Sequence, residues 1–500
     1  MDSLPLLLEG FAAALTPMNL LYVFFGAMLG TAVGVLPGLG SSMAVALLLP
    51  VTFTLDPTGA FIMFAGVYFG GLFGDSISGI LLNTPGNSSA IASTFEGHKM
   101  ALSGRAAQAL ATAAIGAFSG GLIATTLVAF GAPLMAEMAT LFGPAEYFAL
   151  AVFAFVAISA VVADSVLKGL AALLIGLAIA FVGIDAQSGA SRFTLGIPQF
   201  FDGISIIVVT VGMLALGEVF YIASRRHHPT TALITTQGRP WLSLREMRQA
   251  APAWLRGTAY GLPFGVIPVG GSEIPTFLAY GTERRLDRRR RHPMFGRGAI
   301  QGVAAPEAAG NATAGTAMGA LLTLGLPTSS TAAIMLAAFV QYGMQPGPLL
   351  FETNGDLVWT LLASLFIGLV VLLILNLPFA PLWAKLLVVP RQYLYSGIAL
   401  FAALGVYASG GSLADVFLLI GIGLIGFLLR RYGLPLAPVL IAVVLGPLAE
   451  TELRRTLAIS EGDATALISS GITITLYTLL AAAMIAVAIV RLRQRSRVDV

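Results

Sequence analysis

Gly34-Val-Leu-Pro-Gly-Leu-Gly-Ser41 in the first half of the chain and Gly265-Val-Ile-Pro-Val-Gly-Gly-Ser272 in the second are two versions of one phrase. Each is led by a similar group, Gly30-Thr-Ala-Val and Gly257-Thr-Ala-Tyr, at a different spacing. Proline removes a helical hydrogen bond and clashes with the preceding turn, so neither phrase reads as an unbroken helix. Some fifty to sixty residues further on, each half has a second polar break, Asn83-Thr-Pro-Gly-Asn-Ser-Ser89 and Gly325-Leu-Pro-Thr-Ser-Ser-Thr331. Everything around these four breaks is apolar, and that combination decides the fold class.

The chain has 500 residues, of which 57% are hydrophobic and 10% charged, with a mean hydropathy of +0.89. A soluble domain carries about 25% charged residues, and a disordered chain is poor in apolar ones, so both classes are excluded. Continuous apolar blocks such as 147–163 and 361–375 exclude the alternating pattern of a membrane barrel. An all-α polytopic membrane protein remains, with about 11–12 spans at roughly 20 residues per crossing. There is no cysteine, which removes disulfide and thiolate chemistry. Residues 1–10 carry Asp2 and Glu9 without Lys or Arg, so a cleaved signal peptide is not expected. The net charge is only +3, and the basic residues sit between apolar spans, which argues for topogenic signals rather than nucleic acid.

Basic residues collect in cytoplasmic loops. By that rule Lys99 and Arg105, 164–168, 225–256, 284–297, 385–391, Arg430 and Arg431, and 491–497 lie inside. The stretches 133–146, 185–202, 341–356, 409–415 and 450–463 lie outside, and so does the N-terminus. The segment 257–283 has basic loops on both sides and is expected to enter and leave on the cytoplasmic face, broken at Pro263 and Pro268. The loop charges reverse between the two copies, which is the mark of an inverted-topology repeat with re-entrant hairpins and broken helices. The expected division is repeat 1 over 1–224, a basic linker with an interfacial helix over 225–256, repeat 2 over 257–463, an extra span over 464–490 and a cytoplasmic tail over 491–500. Trp241, Trp254 and Trp383 are expected in an interfacial belt, and 241–256 in a short helix along the membrane. His98, His227, His228 and His292 are read as solvated loop residues, and Asp164 with Lys168 as a surface pair four apart.

In inverted repeats the broken helices bring polar backbone to the bilayer midplane and form the substrate site. The candidate side chains are Ser41, Ser42, Asn83, Thr84, Asn87, Ser88, Ser272, Asn311, Thr328, Ser329 and Ser330. The turn positions beside them are Pro37, Gly38, Gly40, Pro85, Gly86, Gly270, Gly271 and Pro327. Gly66, Gly70 and Gly74, and likewise Gly315 and Gly319, read instead as small-residue packing stripes. A carboxylate at mid-bilayer costs about 2.5–3.5 kcal/mol on insertion scales, so Asp75, Glu273 and Glu307 either hold a coupling ion, Na+ or a proton, or fix a break by accepting backbone N–H groups. No Lys or Arg falls at the expected midplane, so an anion would be held by helix N-termini and hydroxyls. No phosphate-binding loop for ATP occurs, which favours an ion gradient as the energy source. An intramembrane enzyme built on Asp75 and a passive anion channel are the alternatives.

Several segments, spread in order over the chain, are similar to the large membrane subunit of the tripartite tricarboxylate transporters. They are residues 34–40, Gly79-Ile-Leu-Leu-Asn-Thr-Pro-Gly86, Glu96-Gly-His-Lys-Met-Ala101, 296–311 with Gly302-Val-Ala-Ala-Pro-Glu307 inside it, Leu324-Gly-Leu-Pro327, Gly347-Pro-Leu-Leu-Phe351 and Leu445-Gly-Pro-Leu-Ala-Glu450. The resemblance implies a cation-coupled permease in the bacterial inner membrane, without an organic cofactor or enzymatic activity. It also implies a small membrane subunit and a periplasmic solute-binding protein that delivers an organic carboxylate.

Overall fold

The computed structural model describes residues 3–52, 55–162, 165–185, 187–224, 234, 240–267, 271–289 and 292–495. Among the described residues the regular structure is helical apart from one hairpin of two-residue strands, β1 (Gly183–Ile184) with β2 (Ser191–Arg192). In the first half come α1 (Ser3–Ala14), α2 (Pro17–Val35), α3 (Ser41–Thr52), α4 (Pro57–Leu82), α5 (Ile91–Met100), α6 (Ala106–Ala139), α7 (Pro144–Val162) and α8 (Val166–Ala180). Helices α9 (Ile206–Val211) and α10 (Gly217–Ala223) follow, joined by a π-helical turn. The second half has α11 (Leu244–Val266), α12 (Glu273–Asp287), α13 (Gln301–Leu324), α14 (Ser330–Gln341), α15 (Pro348–Thr353), α16 (Gly355–Asn376), α17 (Ala380–Ala384), α18 (Arg391–Gly410), α19 (Leu413–Arg431) and α20 (Leu436–Ile459). Helix α21 (Gly471–Arg495) ends the chain. Among the described residues, eight helices are long and apolar enough to cross a bilayer unaided; the broken helices are assembled from shorter pieces.

The most extensive helix pairings are α2 with α4 and α11 with α13. Both are built on glycine ladders. A Cβ on Gly26, Gly30 or Gly34 would meet the carbonyl oxygen of Met63, Val67 or Gly71 at 2.2–2.5 Å. On Gly257, Gly261 or Gly265 it would meet that of Ala305, Ala309 or Thr313 at 2.1–2.3 Å. Small residues let helix backbones touch where lipid supplies no hydrophobic drive between helices. These registers align the two halves residue by residue. Gly30 corresponds to Gly261, not to Gly257 as the leading groups suggest, because the ladder sets the register. The stripe Gly66, Gly70 and Gly74 packs on α2, and Gly315 and Gly319 on α6, as their spacing predicts.

The halves are antiparallel. Phe61 at the start of α4 stacks on Phe339 at the end of α14, with ring centroids 3.7 Å apart, and the Tyr342 hydroxyl donates to the Thr52 carbonyl at 2.5 Å. At the other end, Glu96 in the last turns of α5 caps the approach to α13. Its fully buried carboxylate accepts from the N–H groups of Gly296, Gly298 and Ala299 at 2.7–2.9 Å, while Arg105 donates to the Gly298 carbonyl at 2.7 Å. Each contact joins ends that the positive residues place on one side. So does Arg454 in the last turns of α20, which pairs with Asp185 at 2.9 Å, while Arg455 beside it pairs with Glu452 at 3.0 Å.

Three expectations change. Pro252 and Pro263 both lie inside α11, so the hairpin breaks after Val266 rather than at Pro263. Bends in the backbone are tolerated where a neighbouring helix packs against them, and α13 does so here. The interfacial helix and the first arm of the hairpin are therefore one helix, entered through a capping box at Ser243 and Glu246; it runs across the 256/257 division. Trp254 is not in a belt: it is buried, and its indole N–H donates to the Thr112 carbonyl at 3.3 Å. Trp383 is likewise buried and donates to the Leu375 carbonyl at 2.9 Å. His98 is half-buried in α5, with Nδ1 2.9 Å from the Ile80 carbonyl. Lys168 donates to the Tyr432 carbonyl; Asp164, His227, His228 and Pro268 lie outside the described residues.

Candidate functional site

Helices α4 and α13 are buried along almost their whole length and stop at matching points. Asn83 (φ 55°) and Gly325 (φ 68°) are the left-handed caps that end them. Such a conformation suits glycine or asparagine and few other residues. The chain then turns and restarts, as α5 in one half and as α14 in the other. The hairpin phrases do the same at Gly38 (φ 84°) and Gly271 (φ 108°), before α3 and α12.

The restarts converge. A cavity of about 70 Å³ is lined by Ser41, Ser42, Asn87, Gly271, Ser272, Glu273, Thr328, Ser329 and Ser330 of the expected set, joined by Tyr68, Ser89 and Thr313. The first turns of α3, α12 and α14 open onto it, so N–H groups without helical partners and three positive dipole ends share one space. Ser41 and Thr331 bridge the two halves, oxygen to oxygen, at 3.1 Å. Ser329 caps α14 by accepting from the Ala332 N–H at 3.2 Å. The Asn87 amide nitrogen and the Thr328 hydroxyl are buried without a partner. Among the described residues, no Lys or Arg lines the cavity.

Other expected residues take different places. Gly40 leaves room for Asn87: a Cβ there would fall 2.3 Å from the Asn87 amide oxygen and displace that side chain. Asn83 and Thr84 are exposed and outside the cavity; Thr84 donates to the Leu82 carbonyl at 3.1 Å. Pro37, Pro85 and Pro327 shape turns without lining it. Gly270 lies outside the described residues, and the side chain of Ser88 is not among those described. Tyr68 and Thr313 were missed, although each had a signal. Asp75, Leu72 and Tyr68 form one helical stripe at spacings of three and four, and Thr313 lies two residues beyond Asn311 on the same buried helix.

The acids divide by role. The Asp75 carboxylate accepts from the Gly86 N–H and, at 2.9 Å, from the Asn87 N–H, so it pins the first break to its own helix. Glu307 accepts from the Ser76 hydroxyl at 2.7 Å through one oxygen. Its other oxygen and the Asn311 amide oxygen have no partner. Both residues line a separate cavity of about 10 Å³ with Asp75, Ser89 and Thr276, space for one water-sized occupant. Glu273 lies at the main cavity, in the first turn of α12.

The sequence of residues 20–441 matches the Tripartite tricarboxylate transporter TctA family. The chain belongs to that family. It is the multi-pass membrane component of a transporter, not an enzyme, and the family works with partner subunits and a substrate-binding protein. An uncharacterised 52.8 kDa protein from the TAR-I ttuC' 3' region of Agrobacterium vitis is 41% identical over 473 residues, 94% of this chain and 93% of its own. A second uncharacterised protein of that organism, from the TAR-II ttuC' 3' region, is 42% identical over 212 residues, 42% of this chain and 87% of its own. No solved structure matches.

Proposed function

We propose that this subunit carries an organic carboxylate of the tri- or dicarboxylate class inward across the bacterial inner membrane, coupled to Na+ or H+. A periplasmic solute-binding protein delivers the solute and a small membrane subunit completes the complex. The observation that supports this reading is the cavity shared by both halves, where three helix N-termini and a ring of hydroxyls face one another without a basic side chain. Bare N–H groups suit a carboxylate, and a site with no fixed positive charge gains from a co-bound cation.

The membrane potential points the same way. Moving a dianion inward against about 150 mV costs roughly 7 kcal/mol, so more than two monovalent cations must accompany it if the potential is to drive uptake. The small cavity between Glu307 and Asn311 fits a cation stripped of most of its water: it offers two oxygens that no donor satisfies. Asp75 is already committed to the break and is a poorer candidate.

Uptake into proteoliposomes holding the three-component system tests the reading. Uptake should require a Na+ or H+ gradient; transport that persists after both are collapsed rejects coupling, and a conductance without the binding protein favours a channel. Ser329→Leu should abolish uptake with membrane insertion intact.

A further inference from the structure

A larger cavity, about 450 Å³, adjoins the first and shares Ser42 and Ser330 with it. Its other walls include Leu214 in the π-helical turn, Tyr221 in the last turn of α10, Arg430 in the last turn of α19, and residues 433–437 with Leu440 across the turn into α20. These are the ends that the positive residues place in the cytoplasm, which puts this cavity on the cytoplasmic side of the break site. Its volume falls in the range of small-molecule sites, about 300–1,000 Å³.

Among the described residues, Arg430 brings the one full positive charge to this pair of cavities. Its guanidinium forms an ion pair with Glu218 of α10, and the two side chains are 29% and 6% exposed. Its Nε is buried and makes no hydrogen bond. Glu218 in turn lies against the tip of the first hairpin: a Cβ on Gly38 would come within 3.6 Å of its carboxylate. A guanidinium has five N–H donors in a planar fork and recognises carboxylates along its edges. Glu218 occupies part of that fork; the side chain lines the cavity and is 29% exposed, so a second carboxylate can reach its outward N–H groups. A bare arginine here would trap an anion that must be released; one balanced by Glu218 offers a site from which it can leave.

We propose that Arg430 is an anion subsite on the cytoplasmic side of this carrier, where a carboxylate of the departing solute competes with Glu218 for the guanidinium. The proposal rests on the carboxylate-transport reading above. The bland account is an ion pair that only cements α10 to α19, and the two accounts differ in what removing Glu218 does.

The test titrates citrate into the purified subunit by calorimetry and follows citrate exchange from the cytoplasmic face in inside-out vesicles. Arg430→Gln should weaken citrate binding tenfold or more and raise the cytoplasmic-side KM. Arg431→Gln, at the neighbouring position whose guanidinium lies over the Phe427 ring, should stay within twofold of wild type. Glu218→Gln should tighten binding severalfold, because the competitor is gone. Wild-type binding that Arg430→Gln leaves unmoved overturns the subsite alone. So does a Glu218→Gln variant that loses binding and melting temperature together. A wild type that neither binds nor exchanges citrate, nor succinate as the dicarboxylate probe, overturns the carboxylate reading and the subsite with it.

Discussion

The breaks that end α4 and α13 occupy equivalent places, yet one is clamped and the other is not. Eight residues before Asn83, Asp75 holds the N–H groups of Gly86 and Asn87. Eight residues before Gly325 stands Ala317, which lines the cavity, and the nearby Thr328 hydroxyl has no partner. A repeated frame therefore does not imply repeated duties. Both breaks present one unsatisfied polar group to the space where a solute would sit, the Asn87 amide nitrogen and the Thr328 hydroxyl, but only the first is also pinned by an acid of its own helix.

The largest effects should come from the features that the halves share. Gly34→Val and Gly265→Val would force side chains into the facing backbone, 2.2 Å from Gly71 O and 2.3 Å from Thr313 O. Both should abolish transport and lower the melting temperature of the purified subunit by more than 10 °C. A large effect in one half only would break the equivalence. Asp75→Ala leaves two buried N–H groups without an acceptor and should cost about 2–5 kcal/mol, visible as a lower melting temperature with loss of uptake. Asp75→Asn keeps an acceptor and should restore much of the stability. If Asp75→Asn instead leaves stability intact and uncouples uptake from the ion gradient, the clamp is an ion ligand.

Thr328→Val should sharpen the contrast, since it removes a hydroxyl that makes no hydrogen bond in the protein. Melting should stay within 2 °C of wild type while the KM for uptake rises severalfold. Asn83→Gly, which keeps the left-handed cap and removes an exposed side chain, should leave uptake within twofold. The smallest effect concerns the extension 181–205, which has only the short turn 432–435 as its counterpart between α19 and α20. The Gln187 N–H, and after it Arg454, hold the Asp185 carboxyl well below the usual carboxylate range. A depressed pKa contributes stability above the ordinary value near about pH 4 and loses it as pH falls below that. Arg454→Gln should therefore melt slightly lower than wild type at pH 7, with the gap closing between about pH 5 and pH 2.

The positions of the breaks were legible because Pro, Gly and hydroxyl residues in an apolar chain have few other uses. Topology was legible from Lys and Arg for the same reason. The convergence of Ser41, Asn87, Ser272 and Thr328 followed from the repeat, whereas the placing of Asn83 and Asn311 did not, because residue type alone does not say which side of a turn faces the cavity. Pro263 misled: proline is a local signal, and the tolerance that keeps α11 continuous comes from α13, far away in sequence. Arg430 was read as a topogenic charge, and only the packing of α10 against α19 shows it lining a cavity.

The Glu96 carboxylate and its three donors are separated by 200 to 203 residues. At synthesis rates of about 5–20 residues per second, that interval is roughly 10–40 s. For that time the Glu96 carboxylate lacks the three donors that offset its burial in the finished fold, and burying an ionised carboxylate without them is costly. The nascent first half is thus an unfinished object, and the emergence of Gly296 and Gly298 is the moment at which the carrier can close.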